Sequence, residues 1–561
     1  MTDIIYLVEF TAIVDSTGTS QIFRFSTASD FMTQPHENPP NTPYLPFVSS
    51  PGQYERHCWS QGSTRGTSSR GFGSIKFVND GTFDPIMNYG LDGQPIQVLF
   101  GPKNGAYPAD FTILLTGVCR RPNFPSRTEF DVVIVDRQGD AADFTFQPTK
   151  YAGTNSGAVG LEGLPADIQG KPKPKLRGRC YNVPAIQVNS SNLDYQVDDG
   201  SAIYPAAGVF VDAVYDKRSA LTLKATYTAG NLTAYMADFP SIGYYTTYCG
   251  PEGWYFRIGE TPKGIITSDV HEGAAKDRTI AQIVSRVASS EGKLPLADMV
   301  GVAALDAAKP YEVGIWVGAE STVGQVIDAV LDSGNAYMTD SRAGKINFGY
   351  LQDPVDMKSV ATIEDWMIKD EENGFTVTGT NDSGIGIRLS TNWDGTAQRY
   401  ASNQDATIGL PTWRILLLYQ KNFQVMSNTD LAGDAAADIA FARLEYRTYA
   451  VSDATVLVQH RKAPEFTATT LITNLADATI EAKSQLGMRK IPRYVYVIPV
   501  ATDQVDDYGV PLASTIDLGV AFTLVSSRYG FQAGKKLLCI GLSGDFGATT
   551  SQSLTNIYAW G

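Results

Sequence analysis

The sequence predicts a multidomain protein of the α+β class that is predominantly β, with β-barrel or sandwich domains at both ends and a smaller mixed α+β centre. Three observations predict this class. Short β-prone segments separated by turn signals fill the first 150 residues, similar segments close the chain, and helical periodicity is concentrated between them. A length of 561 residues predicts roughly three to five domains.

The N-terminal strands are predicted from runs of β-branched and aromatic residues separated by turns such as Asp15-Ser16-Thr17-Gly18. The predicted strands are 4–13, 21–25, 74–78, 96–100, 111–118 and 129–135. Segment 33–50 contains five prolines and is predicted to be a loop, because proline lacks an amide donor. Strands at this spacing are typical of a barrel or a sandwich.

Two central segments carry helical periodicity. In 279–288 and in 322–331 apolar residues recur three and four positions apart, which predicts one buried face in each helix. Asp277 is the predicted N-cap of the first helix. The second helix leads into a predicted β-hairpin formed by 337–340 and 345–348, and together they form a small α+β unit.

The last third mixes both kinds of element. Helices are predicted over 431–446 and 475–486. The predicted strands are 375–378, 386–389, 414–419, 494–500, 521–525, 536–542 and 554–559.

The predicted domain organisation has five parts. They are an N-terminal β-rich domain (1–150), a Gly/Pro/basic linker (151–179), a β-rich middle domain (180–270), a small α+β domain (271–370) and a C-terminal β-barrel-like domain with two helices (371–561). Within the linker, bases alternate over 171–179, so in an extended chain they lie on one side. Two interpretations stay open, a solvated linker or docking onto an acidic neighbour or nucleic acid.

Composition excludes several classes. The chain has 60 aromatic residues, counting 25 Phe, 7 Trp and 28 Tyr, which excludes global disorder. A net charge of −14 disfavours sequence-independent binding of nucleic acid. No export signal or membrane span is expected, since an acid stands at position 3 and no long apolar run occurs. The five cysteines form no CxxC, which favours reduced core thiols made in a cytoplasm.

Catalytic motifs are incomplete. Gly541-Leu-Ser543-Gly-Asp545 lacks the final glycine of a nucleophile elbow, and Gly384-Ile-Gly386 lacks the third glycine of a dinucleotide loop. The four histidines are far apart in the sequence, and Cys249 with His271 has the order but not the motif of a cysteine peptidase. Acidic pairs such as Asp198-Asp199 are interpreted as solvated loop acids, with calcium binding as the alternative. No catalytic, cofactor-binding or metal-ligating residue is predicted.

A succession of short segments resembles the tail hub proteins of tailed bacteriophages, in the group of siphophage tail-tip hubs and gene-transfer-agent-like hubs. Their order along nearly the whole chain carries the resemblance. The segments are 39–44, 51–56, 71–75, 79–84, 89–93, 171–178, 181–184, 195–197, 211–216, 253–259, 262–270, 517–519, 528–530, 533–535 and 560–561.

The resemblance implies a structural virion protein at the tail tip or baseplate, assembled in the cytoplasm of the host bacterium. Hubs of this family form trimers, in which two tube-like β-barrel domains per chain give pseudo-sixfold symmetry. The implied partners are further copies of the chain, the distal tail protein, the tape measure protein, and tail fibre or tip proteins. Genomic DNA would pass through the ring without specific binding, and the hub would line or close the exit channel.

The resemblance also bears on enzymatic activity and cofactors. Some relatives carry a fused peptidase or lysozyme domain, but no such motif occurs here, so no enzymatic activity is expected. Some tail-tip proteins bind an iron–sulfur cluster through four cysteines. Cys58, Cys119, Cys180 and Cys249 are widely spaced, so no cofactor is expected, and a cluster requires their convergence in the fold.

Two alternative functions remain open. A receptor-binding or tail-fibre protein is also β-rich and trimeric, although fibres tend to show repeats and elongated shafts, which are absent here. The second alternative is a tail-associated cell-wall hydrolase.

Overall fold

The structure is a computed structural model, and it describes residues 4–60, 64–68, 71–156, 159–369, 388–389, 411–433, 436–506, 509–527, 530–546 and 554–561. Strands predominate over helices, which confirms the predicted α+β class with a predominance of β. The predicted strand 375–378 lies outside the described residues, and of 386–389 only Arg388–Leu389 is described, as a strand.

The N-terminal strands form one curved antiparallel sheet in the order β2-β1-β5-β6-β8-β4-β3. The elements are β1 (Ile4–Ile13), β2 (Ser20–Ser26), β3 (Val48–His57), β4 (Phe72–Val78), β5 (Pro95–Pro102), β6 (Thr112–Cys119), β7 (Asn123–Ser126), β8 (Glu129–Val135) and α1 (Arg137–Ala142). Leu45, which precedes β3, closes the sheet onto β2. Its amide donates to the Arg24 carbonyl at 3.1 Å, and its carbonyl accepts from the Ser26 amide at 2.8 Å. Aromatic rings fill the resulting barrel, among them Phe25, which packs against Phe77 with ring centroids 5.0 Å apart.

Strand β3 was not predicted, and the predicted loop 33–50 ends three residues earlier than expected, because β3 begins at Val48. Pro51 and Gly52 interrupt its β-prone pattern, and the pairing with β4 shifts register around them. A proline inside a strand is tolerated at such a bulge. The strand pairs with β4, the next strand along the chain, and with residues 541–546 near the other end of the chain, and local patterns do not show the second pairing.

The next segment is a two-layer sandwich. Its elements are β9 (Lys175–Pro184), β10 (Ile186–Asn189), β11 (Asp194–Asp198), β12 (Val211–Asp216), β13 (Ser219–Ala220), β14 (Thr222–Thr228), α2 (Leu232–Ala237), β15 (Tyr244–Gly250), β16 (Gly253–Ile258) and β17 (Ile266–His271). One sheet has the order β10-β11-β16-β15-β14, and the other contains β13-β12-β17-β9. Leu176 and Val214 from one sheet and Trp254 and Phe256 from the other share one apolar core.

The central α+β unit follows. Its elements are α3 (Ile280–Ser290), β18 (Met299–Val300), α4 (Val302–Ala308), β19 (Gly314–Val317), α5 (Val323–Asp332), β20 (Ala336–Asp340) and β21 (Ile346–Tyr350). Both predicted helices and the predicted β20–β21 hairpin are confirmed. The predicted N-cap is wrong. Thr279, not Asp277, caps α3, because its hydroxyl accepts a hydrogen bond from the Gln282 amide at 3.4 Å.

The remaining elements divide between two cores. They are β22 (Ser359–Glu364), β23 (Arg388–Leu389), β24 (Arg414–Tyr419), α6 (Ile439–Ala442), β25 (Arg447–Ser452), α7 (Val456–Gln459), β26 (Glu465–Thr469), α8 (Leu475–Arg489), β27 (Val495–Ala501), α9 (Leu512–Thr515), β28 (Ala521–Val525), β29 (Lys535–Phe546) and β30 (Leu554–Trp560). Strand β24 and helix α8 bury Ile415 and Leu486 in the core of α3 and α5. Strands β22, β28, β29, β30 and β27 form a second barrel, and the Lys369 amide closes it by donating to the Pro499 carbonyl at 2.9 Å.

The predicted helix over 431–446 is wrong for the described residues. Only Ile439–Ala442 is helical there, because Gly433 and Asp438 adopt positive φ values of 61° and 44°. The Asp438 side chain accepts from the Phe441 amide, as acidic residues do at helix starts. The small alanines of this segment provide no broad apolar face to keep a longer helix against the core.

The two barrels, from opposite ends of the chain, share one sheet. Strand β29 pairs β28 and β30 in the C-terminal barrel, and its second half pairs antiparallel with β3, from Gly541 opposite His57 to Phe546 opposite Gly52. A side chain at Gly541 would clash with the His57 imidazole, so this close strand approach requires glycine. The barrels therefore stand side by side and are joined by backbone hydrogen bonds.

Candidate functional site: the barrel junction and an exposed edge

A buried ionic cluster lies where the two barrels and the β20–β21 hairpin meet. The Arg56 side chain is 2% exposed, and its Nη2 donates to Asp517 Oδ1 at 3.2 Å and to the Asp340 carbonyl oxygen. Asp340 Oδ2 in turn accepts from the Arg137 amide at 2.5 Å. The cluster thus links residues from β3, α1, β20 and the segment after α9.

Burial sets the charge states within this cluster. Burial raises the pKa of Asp340 to about 7, and the neighbouring Asp136 charge adds to the rise. Burial raises the pKa of Asp136 as well, against the opposing effect of Arg56. Asp517 differs. Burial raises its pKa, but Arg56 and Arg342 outweigh burial and hold that pKa below its ordinary value. Asp517 is therefore the carboxylate of this cluster that is ionised most readily.

The basic segment 171–179 is not a solvated linker at its C-terminal end. Lys175 and Arg177 lie in β9 with side chains 5% and 4% exposed, and both contact Glu291 Oε1 at 2.7 Å. Lys173 pairs with Glu162 at 2.5 Å, and the Phe146 ring lies beneath both β9 cations. The alternation along the strand does place these bases on one side, and the acidic neighbour that they meet belongs to the same chain.

The four cysteines considered for an iron–sulfur cluster divide between two separate cores. Cys58 and Cys119 lie in the core shared by the two barrels, and Cys180 and Cys249 lie in the core of the sandwich. Burial raises the pKa of Cys119 and of Cys249 to about 12. Among the described residues, no group of three or more His, Cys, Asp or Glu side chains is arranged to hold a metal ion.

The structure shows where the residues of the incomplete catalytic motifs lie. Ser543 lies within strand β29, not at a strand-to-helix turn, and Gly541 beside it accommodates His57. Cys249 and His271 lie on strands of opposite sheets in the sandwich, and His271 contacts Asp212 at 3.2 Å. The string 384–386 lies outside the described residues, so the structure does not describe that motif.

An exposed apolar surface lies at the free edge of the sandwich. Strand β14 is the last strand of its sheet, and the loop before β15 projects Phe239 and Ile242, which are 62% and 72% exposed. We call Phe239 and Ile242 the edge patch. Leu223 and Tyr244 are also exposed, at 41% and 43%, but their side chains leave opposite faces of the sheet, since Leu223 pairs with Tyr245. Clustered exposed apolar residues beside an unpaired strand edge are typical of a contact surface.

The edge patch is held in place by a buried ion pair, which sequence reasoning missed because its partners are far apart in the chain. The Arg257 guanidinium binds both carboxylate oxygens of Asp194, at 2.8 and 2.9 Å, and both side chains are fully buried. The same guanidinium donates to the Asp238 carbonyl at 3.0 Å and lies 4.8 Å from the Phe239 ring centroid. The patch is therefore presented by a fixed backbone.

No described helix combines the length and the apolar character needed to cross a bilayer. No protein-family model matches the chain, and no curated protein is significantly similar to it in sequence.

The solved structures to which this chain is similar include tail proteins of bacteria and prophages. The tail protein from Neisseria meningitidis MC58 is 10% identical over 99% of this chain and 96% of its own, with a TM-score of 0.37. The 43 kDa tail protein of prophage MuSo2 from Shewanella oneidensis is 7% identical over 99% of this chain and 98% of its own, with a TM-score of 0.38. A chain in the virion of a native gene transfer agent is 10% identical over 73% of this chain and 90% of its own, with a TM-score of 0.38.

Proposed function

We propose that this chain is a structural protein of a phage-type tail, the hub of the tail tip, and that three copies form a ring. The observation that carries the proposal is the continuous sheet through β3 and β29, which fixes two barrels side by side in one chain. Three copies then present six barrels around one axis, a pseudo-sixfold ring that matches a hexameric distal tail ring. The sequence resemblance to tail hubs supports the same assignment.

The junction between the two barrels resists sliding of one barrel past the other. Six backbone positions of β3 pair with β29, and the buried Arg56–Asp517 ion pair lies beside them. Hydrogen bonds of a sheet and buried ion pairs resist sliding of one element past another because breaking either leaves polar groups unsatisfied. The two barrels therefore act as one rigid body within each subunit.

The charge of the chain suits a conduit for DNA. A net charge of −14 gives three copies a strongly acidic ring, and DNA phosphates are repelled by such a surface. The hub would then line the exit channel without gripping the genome. The distal tail protein, the tape measure protein and fibre or tip proteins are the proposed neighbours.

The edge patch is the proposed contact between copies. A ring of three is heterologous, so one face of each subunit meets a different face of the next. An exposed strand edge flanked by anchored apolar side chains loses less conformational entropy on docking than a mobile loop does. Phe239 and Ile242 would supply the central apolar contacts.

Two measurements test the proposal. The purified full chain is expected to show three times the 60.7 kDa chain mass in sedimentation or mass photometry. In whole particles, a labelled copy is expected at the tail tip in negative stain. A stable monomer that is absent from the tail tip contradicts the proposal.

The same preparations separate the alternatives. A cell-wall hydrolase would clear peptidoglycan in a zymogram, and we expect no clearing. A fibre protein would be located on appendages that project from the tip and would bind host cells as an isolated protein.

A further inference from the structure

A small cavity lies inside the C-terminal barrel, between β27, α9, β29 and β30. It measures about 10 Å³, room for one ligand of roughly the size of a water molecule or a halide ion. Most of its wall is apolar, and its apolar members include Val500, Leu512, Leu542 and Ile557. Its polar members are Arg342, Thr502 and Thr555.

Arg342 lines this cavity, and two of its three guanidinium nitrogens have no hydrogen-bond partner in the part of the chain that the structure describes. The residue is 7% exposed, and neither its Nε nor its Nη1 has a hydrogen-bond partner among the described residues. Its Nη2 donates only to the Ile516 carbonyl, at 3.4 Å. Guanidinium groups stay charged in proteins, so a buried cation with two free donor atoms adjoins an otherwise apolar space.

The nearby carboxylate is already shared. Asp517 accepts from Arg56 Nη2 at 3.2 Å through one oxygen and from the Arg342 backbone amide at 3.0 Å through the other. The Arg342 guanidinium does not hydrogen-bond to it. One carboxylate therefore serves two buried guanidinium groups, and the charge on Arg342 lacks its own counterion. The Arg342 charge is therefore only partly compensated, which is unfavourable for a buried charge.

The two threonines supply a complementary hydroxyl. Thr502 Oγ1 and Thr555 Oγ1 lie 3.2 Å apart, and both residues are almost fully buried. One hydroxyl donates to the other in this pair, so the second hydroxyl keeps its proton for a ligand. The cavity thus offers a cation and a hydroxyl donor, the combination that binds an anion.

We propose that this cavity binds one monatomic anion of the halide class, held by Arg342 Nε and Nη1 and by the Thr502–Thr555 hydroxyl pair. A water molecule would fit the volume but would leave the guanidinium charge only partly compensated. Polyatomic anions such as phosphate are too large for the space. The anion links the β20–β21 hairpin, which carries Arg342, to the walls of the C-terminal barrel and so stabilises the junction between the barrels.

The direct test is crystallographic. Crystals of the full chain grown or soaked in sodium bromide are expected to show an anomalous difference peak in the cavity, within hydrogen-bonding distance of Arg342 Nε and Nη1. A map with no anomalous peak there, or with density for water alone, overturns the proposal. This test uses the unaltered protein, so it does not depend on any variant folding.

A second test measures the halide dependence of stability in solution for the wild type and for variants. At constant ionic strength, replacing sodium methanesulfonate by sodium chloride is expected to stabilise the protein. Each tenfold rise in halide above its dissociation constant would multiply the folding equilibrium constant tenfold. Arg342→Met and the cavity-filling Ala513→Val are expected to lose this halide dependence, whereas Arg461→Met, at an exposed arginine, keeps it. Equal halide dependence in Arg342→Met and Arg461→Met contradicts the proposal.

Discussion

Arg56 of the N-terminal barrel and Asp517 of the C-terminal barrel form an ion pair at 3.2 Å, although 461 positions separate them in the chain. The Arg56 side chain is 2% exposed. The pair lies beside the shared β3–β29 sheet, so the N-terminal and C-terminal barrels are joined here both by strand pairing and by a buried ion pair. Several expectations about stability and assembly depend on this junction and on the buried charges around it.

Replacing Arg56 is expected to lower the stability of the protein at the junction between the barrels. In Arg56→Met, Asp517 keeps its buried carboxylate but loses its ion-pair partner, a change that costs about 3–5 kcal/mol. Urea unfolding monitored by tryptophan fluorescence measures this. The control Arg461→Met, at an exposed position, is expected to change stability by less than about 0.5 kcal/mol. Equal stability of the two variants would show that the ion pair is unimportant.

Asp340 is expected to make stability fall as pH rises from about 4 to about 7. Its pKa is raised to about 7 in the folded chain by burial, so between those pH values the folded state binds a proton that the unfolded state has released. The Asp340→Asn variant has no titratable carboxyl group at this position, and its side-chain oxygen can still accept the hydrogen bond from the Arg137 amide. Over this pH range, we expect the free energy of unfolding of the wild type to fall by roughly 2–4 kcal/mol more than that of the variant. Unfolding curves at each pH measure this difference. Parallel pH profiles would contradict the assignment.

Glu291 is expected to be essential for the position of β9. In Glu291→Gln, Lys175 and Arg177 lose the carboxylate that both contact at 2.7 Å, and we expect a loss of about 3–5 kcal/mol. The matched control is Glu465→Gln, whose partner Arg414 lies in an exposed pair, with an expected loss below about 1 kcal/mol. Chemical denaturation of both variants measures the difference. The interpretation fails if the two losses are equal.

The edge patch is expected to control assembly without controlling folding. Phe239→Ser combined with Ile242→Ser removes two side chains that are mostly exposed, so the unfolding midpoint should stay nearly unchanged. Mass photometry is expected to show a shift from trimer to monomer at the same protein concentration. The exposed control Val458→Ser, on α7 at 82% exposure, should leave the trimer intact. A trimer that persists in the double variant would place the contact elsewhere.

The five thiols are expected to be unreactive in the folded protein. All five cysteines are free and buried, and burial raises the pKa of Cys539 to about 12. A thiol with so high a pKa has almost no thiolate at neutral pH. A disulfide reagent such as Ellman's is expected to label none of them before unfolding and all five in denaturant. Rapid labelling of the native chain would contradict their burial.

Local patterns predicted elements that are stabilised by their own residues. Helix α5 was predicted from its apolar stripe and begins next to the predicted first residue, because Thr322 caps its N-terminus with a capping box. Strand β1 was predicted over its full length from its run of β-branched and aromatic residues. The helix over 431–446 was wrong because an alanine-rich composition favours helix but does not provide an apolar face for packing.

The candidate site was less predictable. The alternation of bases in 171–179 was visible, but the choice between solvent and an acidic neighbour depends on Glu291, which lies more than one hundred positions away. The Arg257–Asp194 pair that anchors the edge patch had no local signal for the same reason. Charged residues look alike in sequence whether they are solvated or buried in pairs.

Composition and neighbouring residues account for the predominance of strands, the central helix–hairpin unit and the acidic balance, and they contain no intact catalytic motif. Folding brings together the rest: the two terminal barrels share one sheet, Arg56 pairs with Asp517, and Arg342 lines a cavity while sharing Asp517 with Arg56. These relationships join residues hundreds of positions apart. Their energies come from burial and from partners brought together by folding, and neither quantity is recorded in the local order of residues.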